Sequence, residues 1–153
     1  MTVIDELVRN ADSYGESFSS GDLPLPPVKR VAVVVHEGDA HVIRNAGGRA
    51  EDAIRSLAIS QELLGTREIV VIHHTDCGML TFSNDDIRQK LGATNGPDCA
   101  KAAGELDFLP FPDVDQSVRD DVAAIKASPL LRKGVPVNGF VYEVETGRIR
   151  RVA

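Results

Sequence analysis

The stretch Ile69-Val-Val-Ile-His-His-Thr-Asp-Cys-Gly78 constrains this chain more than any other. Four apolar residues in a row, Ile69 to Ile72, all β-branched, favour a strand buried on both faces, as in parallel sheets covered by helices. That strand runs straight into two histidines, and Cys77 follows His74 by three positions. Imidazole and thiolate both bind zinc, so a buried strand ending in this pair is a natural place for that metal. Successive strand residues point to opposite faces, so His73 turns away from His74 and reads as supporting structure.

The residues before this strand complete a βαβ unit. Lys29-Arg-Val-Ala-Val-Val-Val35 is a second β-branched run, stopping at His36, and Glu37-Gly-Asp39 signals a turn. Ala40-His-Val-Ile43 has the length of a short strand, in which His41 reads as a packed or surface residue. Asn45, Ala46, Gly47 and Gly48 then form a loop whose paired glycines permit positive φ and close backbone approach. From Asp52 to Leu64 the apolar face Ile54, Leu57, Ala58, Leu64 predicts a helix stopped by Gly65. Strand, helix, strand with short links implies a right-handed crossover and parallel strands. Sites in such sheets form at the carboxyl ends of strands, where His36, His74 and Cys77 all fall.

The remainder supplies scaffold. Val3, Ile4, Leu7 and Val8 have the spacing of a short amphipathic helix, followed by the Ser- and Gly-rich stretch 13–22 and by Leu23-Pro-Leu-Pro-Pro27. Residues 1–28 therefore read as a helical and Pro-rich amino-terminal arm on a single α/β domain spanning 1–153. Ser83-Asn-Asp-Asp86 and Asp113-Val-Asp-Gln116 resemble capping boxes. The first opens a helix through Lys90 or Leu91; the second opens one with the stripe Val114, Val118, Val122, Ile125, ended by Ser128-Pro129. Between them, residues 92–112 read as a long irregular stretch containing Cys99, an incidental thiol. Residues 137–144, 145–147 and 148–152 read as strand, turn and returning strand.

Composition narrows the function classes. With 153 residues, 42% of them hydrophobic, there is material for one core. The net charge of −6 and the scattered basic residues argue against a nucleic-acid partner. No apolar run reaches membrane-span length, and the start carries no signal-peptide pattern, so the expectation is a cytoplasmic protein without a membrane partner. Two cysteines in a chain of this size point to metal or thiol chemistry at Cys77 before a disulfide.

Arg44-Asn-Ala-Gly47, Ile54-Arg-Ser-Leu-Ala-Ile-Ser60 and above all His73-His-Thr-Asp-Cys-Gly-Met79 resemble the β-class carbonic anhydrases, the small bacterial type in particular. The resemblance runs from the Pro-rich arm to the closing strand. It implies a mostly parallel central sheet flanked by helices and a zinc ion held by Cys, His and Cys. It also implies hydration of carbon dioxide to bicarbonate by zinc-bound hydroxide, and a homodimer or higher homo-oligomer. His74 and Cys77 match the second and third ligands of that pattern; Asn45 to Gly48 and Gly78 would line the pocket. Asp76 either steadies a ligand, which makes it the catalytic candidate, or caps a turn. Arg44 pairs either with a carboxylate at the pocket or within the scaffold.

The first ligand does not match. The family places Cys-x-Asp-x-Arg after its first buried strand, whereas Val35 runs directly into His36-Glu-Gly-Asp39. By similarity, a segment of roughly a dozen residues or more is absent there. Gly48-Arg-Ala-Glu-Asp52 also looks about one residue short. Three readings stay open: His36 takes the place of the missing cysteine, the domain is an inactive structural or partner-binding homologue, or residues of the natural protein are lacking at Val35–His36 and Ala50–Glu51. Hydrolysis of a related heterocumulene such as carbon disulfide is a further alternative.

Overall fold

The computed structural model describes residues 3–16 and 40–153. The strand expected at 29–35, the Pro-rich arm and His36 lie outside the described residues. Helix α1, Val3–Glu16, extends further than its amino-terminal apolar face predicts, through Ser13 and Gly15. After residue 40 come a 3₁₀ turn at Ala46–Gly48, helix α2 (Ala50–Leu63) and strand β1 (Ile69–His74). Helices α3 (Asn84–Asn95), α4 (Pro97–Gly104) and α5 (Val114–Ala127) follow, then strands β2 (Val137–Glu143) and β3 (Arg148–Arg151).

The described sheet has the order β1-β2-β3. β1 pairs parallel with β2, placing His73 beside Val141 and His74 beside Tyr142. β3 returns antiparallel on β2 after the turn at 144–147, as the sequence pattern predicts. One face of the sheet carries Ile69, Val71 and Val137 into a core with Ala50, Val122, Ile125 and Leu131, joined by Ile54, Leu57 and Ala58 of α2. Gly139 is where α5 comes closest: a Cβ there would sit 2.4 Å from Val118 and 3.0 Å from Val122. The apolar stripe of α5 is thus the surface on which the sheet rests.

Helix boundaries follow local chemistry. Ser83 accepts from the Asp86 backbone while the Asp86 carboxylate accepts from the Ser83 backbone, a complete capping box. Asp113 caps α5 through the Gln116 backbone amide, but the Gln116 side chain donates to Asp120, so that box is half formed. α2 begins at Ala50, two residues before the expected start. At its end Gly65 takes φ 72°, as a left-handed helix stop requires.

Two expectations are corrected. Residues 40–43 form no strand; Val42 and Ile43 are apolar, yet no described strand pairs with them. The stretch 92–112 is not irregular throughout, because α3 continues to Asn95 and α4 follows. Gly96 turns the chain at φ 84°, and Pro97 stands in the first turn of α4, where its missing N–H costs nothing. Gly92 lets the two helices close, since a Cβ there would meet Ala100 at 2.9 Å.

Candidate metal centre

β1 delivers its two histidines to opposite faces. His74 is exposed and His73 is 2% exposed. His74 Nδ1 lies 2.7 Å from the Thr75 carbonyl oxygen, which can only accept. The Nδ1 proton therefore points at that oxygen, and among the described residues nothing shares the Nε2 lone pair, as a metal-ligating imidazole requires. The chain then turns sharply. Asp76 takes φ 53°, a left-handed conformation uncommon outside glycine, and Cys77 follows at 5% exposure, packed with Met79 and Phe111. Thr75 anchors the turn: its backbone donates to the Tyr142 carbonyl (2.9 Å), its hydroxyl donates to Glu145 (3.0 Å), and that hydroxyl accepts from Val144 N (3.0 Å). Tyr142, beside His74 in register, has its phenol pushed above the usual range, first by burial and then by the charge and hydrogen bond of Tyr14 on α1.

On the other face His73 is the centre of a buried network. Its Nε2 lies 3.2 Å from the Gly48 carbonyl and 3.0 Å from Asp121 Oδ2. The N–H aims at the carbonyl; the carboxylate oxygen, off that axis, is held by proximity to the ring and makes no hydrogen bond. Asp121 also faces the Arg49 guanidinium at 3.4 Å, and Arg49 donates to Ser117 Oγ. Phe111 lies between these groups, stacked on His73 with centroids 5.5 Å apart and under Arg49 at 5.8 Å.

The glycine loop is wedged between the two features. Gly47 and Gly48 have φ 70° and 68°. A Cβ on Gly47 would meet Met79 at 2.8 Å and Phe111 at 3.2 Å; one on Gly48 would meet the His73 ring at 2.9 Å and the Ile72 carbonyl at 3.1 Å. Asn45 closes the loop by donating to the Arg49 carbonyl at 2.8 Å.

β1 ends at His74, and a turn at Thr75 and Asp76 leads to Cys77. Gly78, exposed, follows Cys77, and Asp76 is exposed too. His41 and Arg44 are exposed, and Cys99 is half-buried. His36 lies outside the described residues. Among those described, no group of three or more His, Cys, Asp and Glu side chains is placed to hold a metal ion. One imidazole nitrogen and one thiol are donor types that zinc takes. A catalytic zinc takes three protein ligands, so a third is required from elsewhere.

Arg49 and Asp121 were not singled out in the sequence, and the aromatics of the stretch 106–112, which include Phe111, read there as core-capping residues. Asp121 carried a signal: it falls among the core positions Val118, Val122 and Ile125 of α5, and a carboxylate on an apolar stripe needs a buried partner.

No family model matches the chain. It is 41% identical to beta-carbonic anhydrase 1 of Mycobacterium bovis over an alignment of 169 positions that covers 99% of each chain. That alignment is longer than the 153-residue chain, so at least 16 of its positions have no residue here. A solved carbonic anhydrase from Glaciozyma antarctica superposes with a TM-score of 0.76 at 47% identity, covering 100% of both chains. A carbon disulfide hydrolase of Acidithiobacillus thiooxidans is 36% identical over 84% of this chain and 72% of its own length.

Proposed function

Because the chain belongs to the β-carbonic anhydrase family, we propose that its activity is the reversible hydration of carbon dioxide to bicarbonate at the carboxyl end of β1. The observation that carries this reading is the strand-end pair: His74 with its Nε2 lone pair unshared among the described residues and Cys77 three residues on, across a left-handed Asp76. His74 Nε2 and the Cys77 thiolate would hold zinc, with His36 as the third protein ligand. Bound there, zinc would lower the pKa of a coordinated water toward neutrality and so supply a hydroxide nucleophile.

The chain's own residues supply the rest. The Thr75 carbonyl fixes the His74 tautomer and ring orientation, a task such acceptors perform at metal sites. Asp76 shapes the turn between the two ligands by accepting a backbone conformation that costs of order 1 kcal/mol, a form of strain that concentrates at functional sites. In Asn45 to Gly48 the Asn45 side chain is turned to the Arg49 carbonyl, and Ala46, Gly47 and Gly48 add little side-chain bulk, which suits a wall facing a three-atom substrate. The free thiols Cys77 and Cys99 accord with a reducing, cytoplasmic setting. Exposed Leu63, Leu64 and Leu130 offer apolar surface for a homodimer or higher homo-oligomer.

Carbon disulfide hydrolysis is the second reading, favoured by the hydrolase relative of 36% identity. The same nucleophile attacks either linear molecule, so the two reactions differ in access and not in ligand set. An inactive homologue is the third, favoured by the two-ligand count.

Metal analysis of untagged protein, with Cys77→Ala as control, and stopped-flow hydration separate these readings. Zinc near one equivalent, lost in the variant, together with hydration is the expected result. Zinc with sulfide release from carbon disulfide and no hydration selects the second reading. A parent without zinc or hydration overturns the enzyme assignment.

A further inference from the structure

The network on the far side of β1 is not used by the chemistry proposed above, and its composition is costly. His73 and Asp121 side chains are both 1% exposed, and Arg49 is 12% exposed. Four buried atoms in this network and the loop bonded to it, Asn45 Oδ1, Arg49 Nε, His73 Nδ1 and Asp121 Oδ2, have no hydrogen-bond partner among the described residues. Incomplete satisfaction means that the network adds little stability for the polar surface it buries. Apolar residues of the same volume serve stability as well or better at such places. What they do not do is tie separate elements together at fixed points.

Asp121 makes those ties. From α5 its carboxylate sits against β1 at His73 Nε2 (3.0 Å, a contact without a hydrogen bond) and against the start of α2 at the Arg49 guanidinium (3.4 Å). Arg49 directly follows the glycine loop, and His73 Nε2 donates to the loop's last carbonyl, that of Gly48 (3.2 Å). The loop's other side touches Met79 and Phe111, the residues packed on Cys77. A continuous chain of contacts therefore runs from Asp121 through Arg49 and His73 to the loop, and from the loop to the ligand-bearing turn.

We propose that Asp121 is a positioning residue for the site, acting through His73 and Arg49 to press the Asn45–Gly48 loop onto the carboxyl end of β1. The loop wall and the His74–Cys77 turn are then held in one relative placement. The kinetic part of this assignment rests on the hydration reading; the structural part does not.

The test is amide hydrogen exchange on the ¹⁵N-labelled full chain, comparing residues 45–49 and 75–79 with the distant strand Arg148–Arg151. Asp121→Asn keeps the volume and removes the charge. It should accelerate exchange in the loop and turn by about ten-fold or more while leaving Arg148–Arg151 within about two-fold. Arg49→Lys should keep most of the protection that Arg49→Met loses. In hydration assays Asp121→Asn should lower kcat by about ten-fold with KM within about two-fold, the range typical of residues that orient metal ligands. Unchanged loop exchange in folded Asp121→Asn overturns the proposal, as does equal acceleration everywhere, the mark of global destabilisation. If Asp121→Asn does not fold, Ser117→Ala removes only the second anchor of Arg49. Loop-confined acceleration in that variant supports the proposal, and none overturns it. A parent without hydration defeats the hydration reading alone, and the exchange pattern still decides the positioning role.

Discussion

Gly48→Ala and Gly65→Ala form a matched pair that isolates how tightly the glycine loop is pressed against β1. Both glycines have nearly the same backbone, φ 68° and 72°. Forcing alanine into the left-handed region costs about 1–2 kcal/mol at either site. The entropy that alanine removes from the unfolded chain returns roughly 0.4–1 kcal/mol at either site. These contributions cancel in the comparison. What differs is the surroundings: nothing lies within 4 Å of a Cβ at Gly65, while one at Gly48 would sit 2.9 Å from His73 Cδ2 and 3.1 Å from the Ile72 carbonyl. Neither neighbour yields easily. The Ile72 carbonyl belongs to a strand in register with Phe140, and the His73 ring is held between Phe111, Gly48 and Asp121. Overpacking of this kind costs about 1–3 kcal/mol. Gly65→Ala should therefore lose about 1 kcal/mol and Gly48→Ala about 2–4 kcal/mol. In urea titrations, with slopes of about 1–3 kcal/mol per molar, the Gly48→Ala midpoint should fall below that of Gly65→Ala by roughly 1 M. Equal midpoints would refute the reasoning, because they would mean the loop does not bear on the strand.

Two other outcomes follow from side chains near the site. Phe111→Ala should lose about 4 kcal/mol in the same titration, since it empties a core position and removes a stacking partner of both His73 and Arg49; a loss under about 2 kcal/mol would show that the pocket collapses around it. The Asp115 carboxyl is held below the usual aspartate range, first by its hydrogen bond from Arg150 (2.8 Å) and then, against the opposing effect of burial, by the charges of Arg150 and Arg119. A carboxylate with a lowered folded pKa stabilises the protein above its unfolded pKa of about 3.9 and loses that contribution as pH falls through the folded value. Parent and Arg150→Met should thus differ in stability by a constant amount from pH 8 to about 5 and converge as pH falls below about 4, and a difference that holds unchanged to pH 2 would contradict this.

The parts legible in the sequence are those whose cause is local. The β-branched run at Ile69–Ile72 made β1, the Ser83 box made the start of α3, and the stripe Val118, Val122, Ile125 made the buried face of α5. The candidate pair His74 and Cys77 stands out in the sequence because its spacing lies within one turn. Elsewhere local signals misled. Pro97 reads as a breaker in isolation, yet after the Gly96 turn it opens a helix. Val42 and Ile43 have strand propensity, but propensity forms no strand without a partner. The network was illegible for another reason: Arg49, His73 and Asp121 are far apart in the chain, and only the packing of α5 on β1 brings them together.

The period of two in a strand joins the two faces of β1. His73 and His74 share one peptide bond, so the groups that pin His73 on the core side also fix the direction in which His74 leaves on the other. Core and site are nevertheless separable in energy. The main core gathers Ala50, Ile69, Val71, Val122, Ile125, Leu131 and Val137, and neither His74 nor Cys77 is part of it. Burial of those apolar side chains, at about 25 cal/mol per Å² of surface removed from water, does not depend on a ligand set. A chain whose described residues offer two candidate donors at the strand end, His74 and Cys77, therefore keeps the family's strand, loop and helix arrangement, because the forces that build the arrangement act chiefly within that core. Ligand count governs whether water is activated, and the His73–Asp121–Arg49 network governs where the ligand-bearing turn and its wall stand. These are independent requirements for hydration, and the second is met by residues the first does not touch.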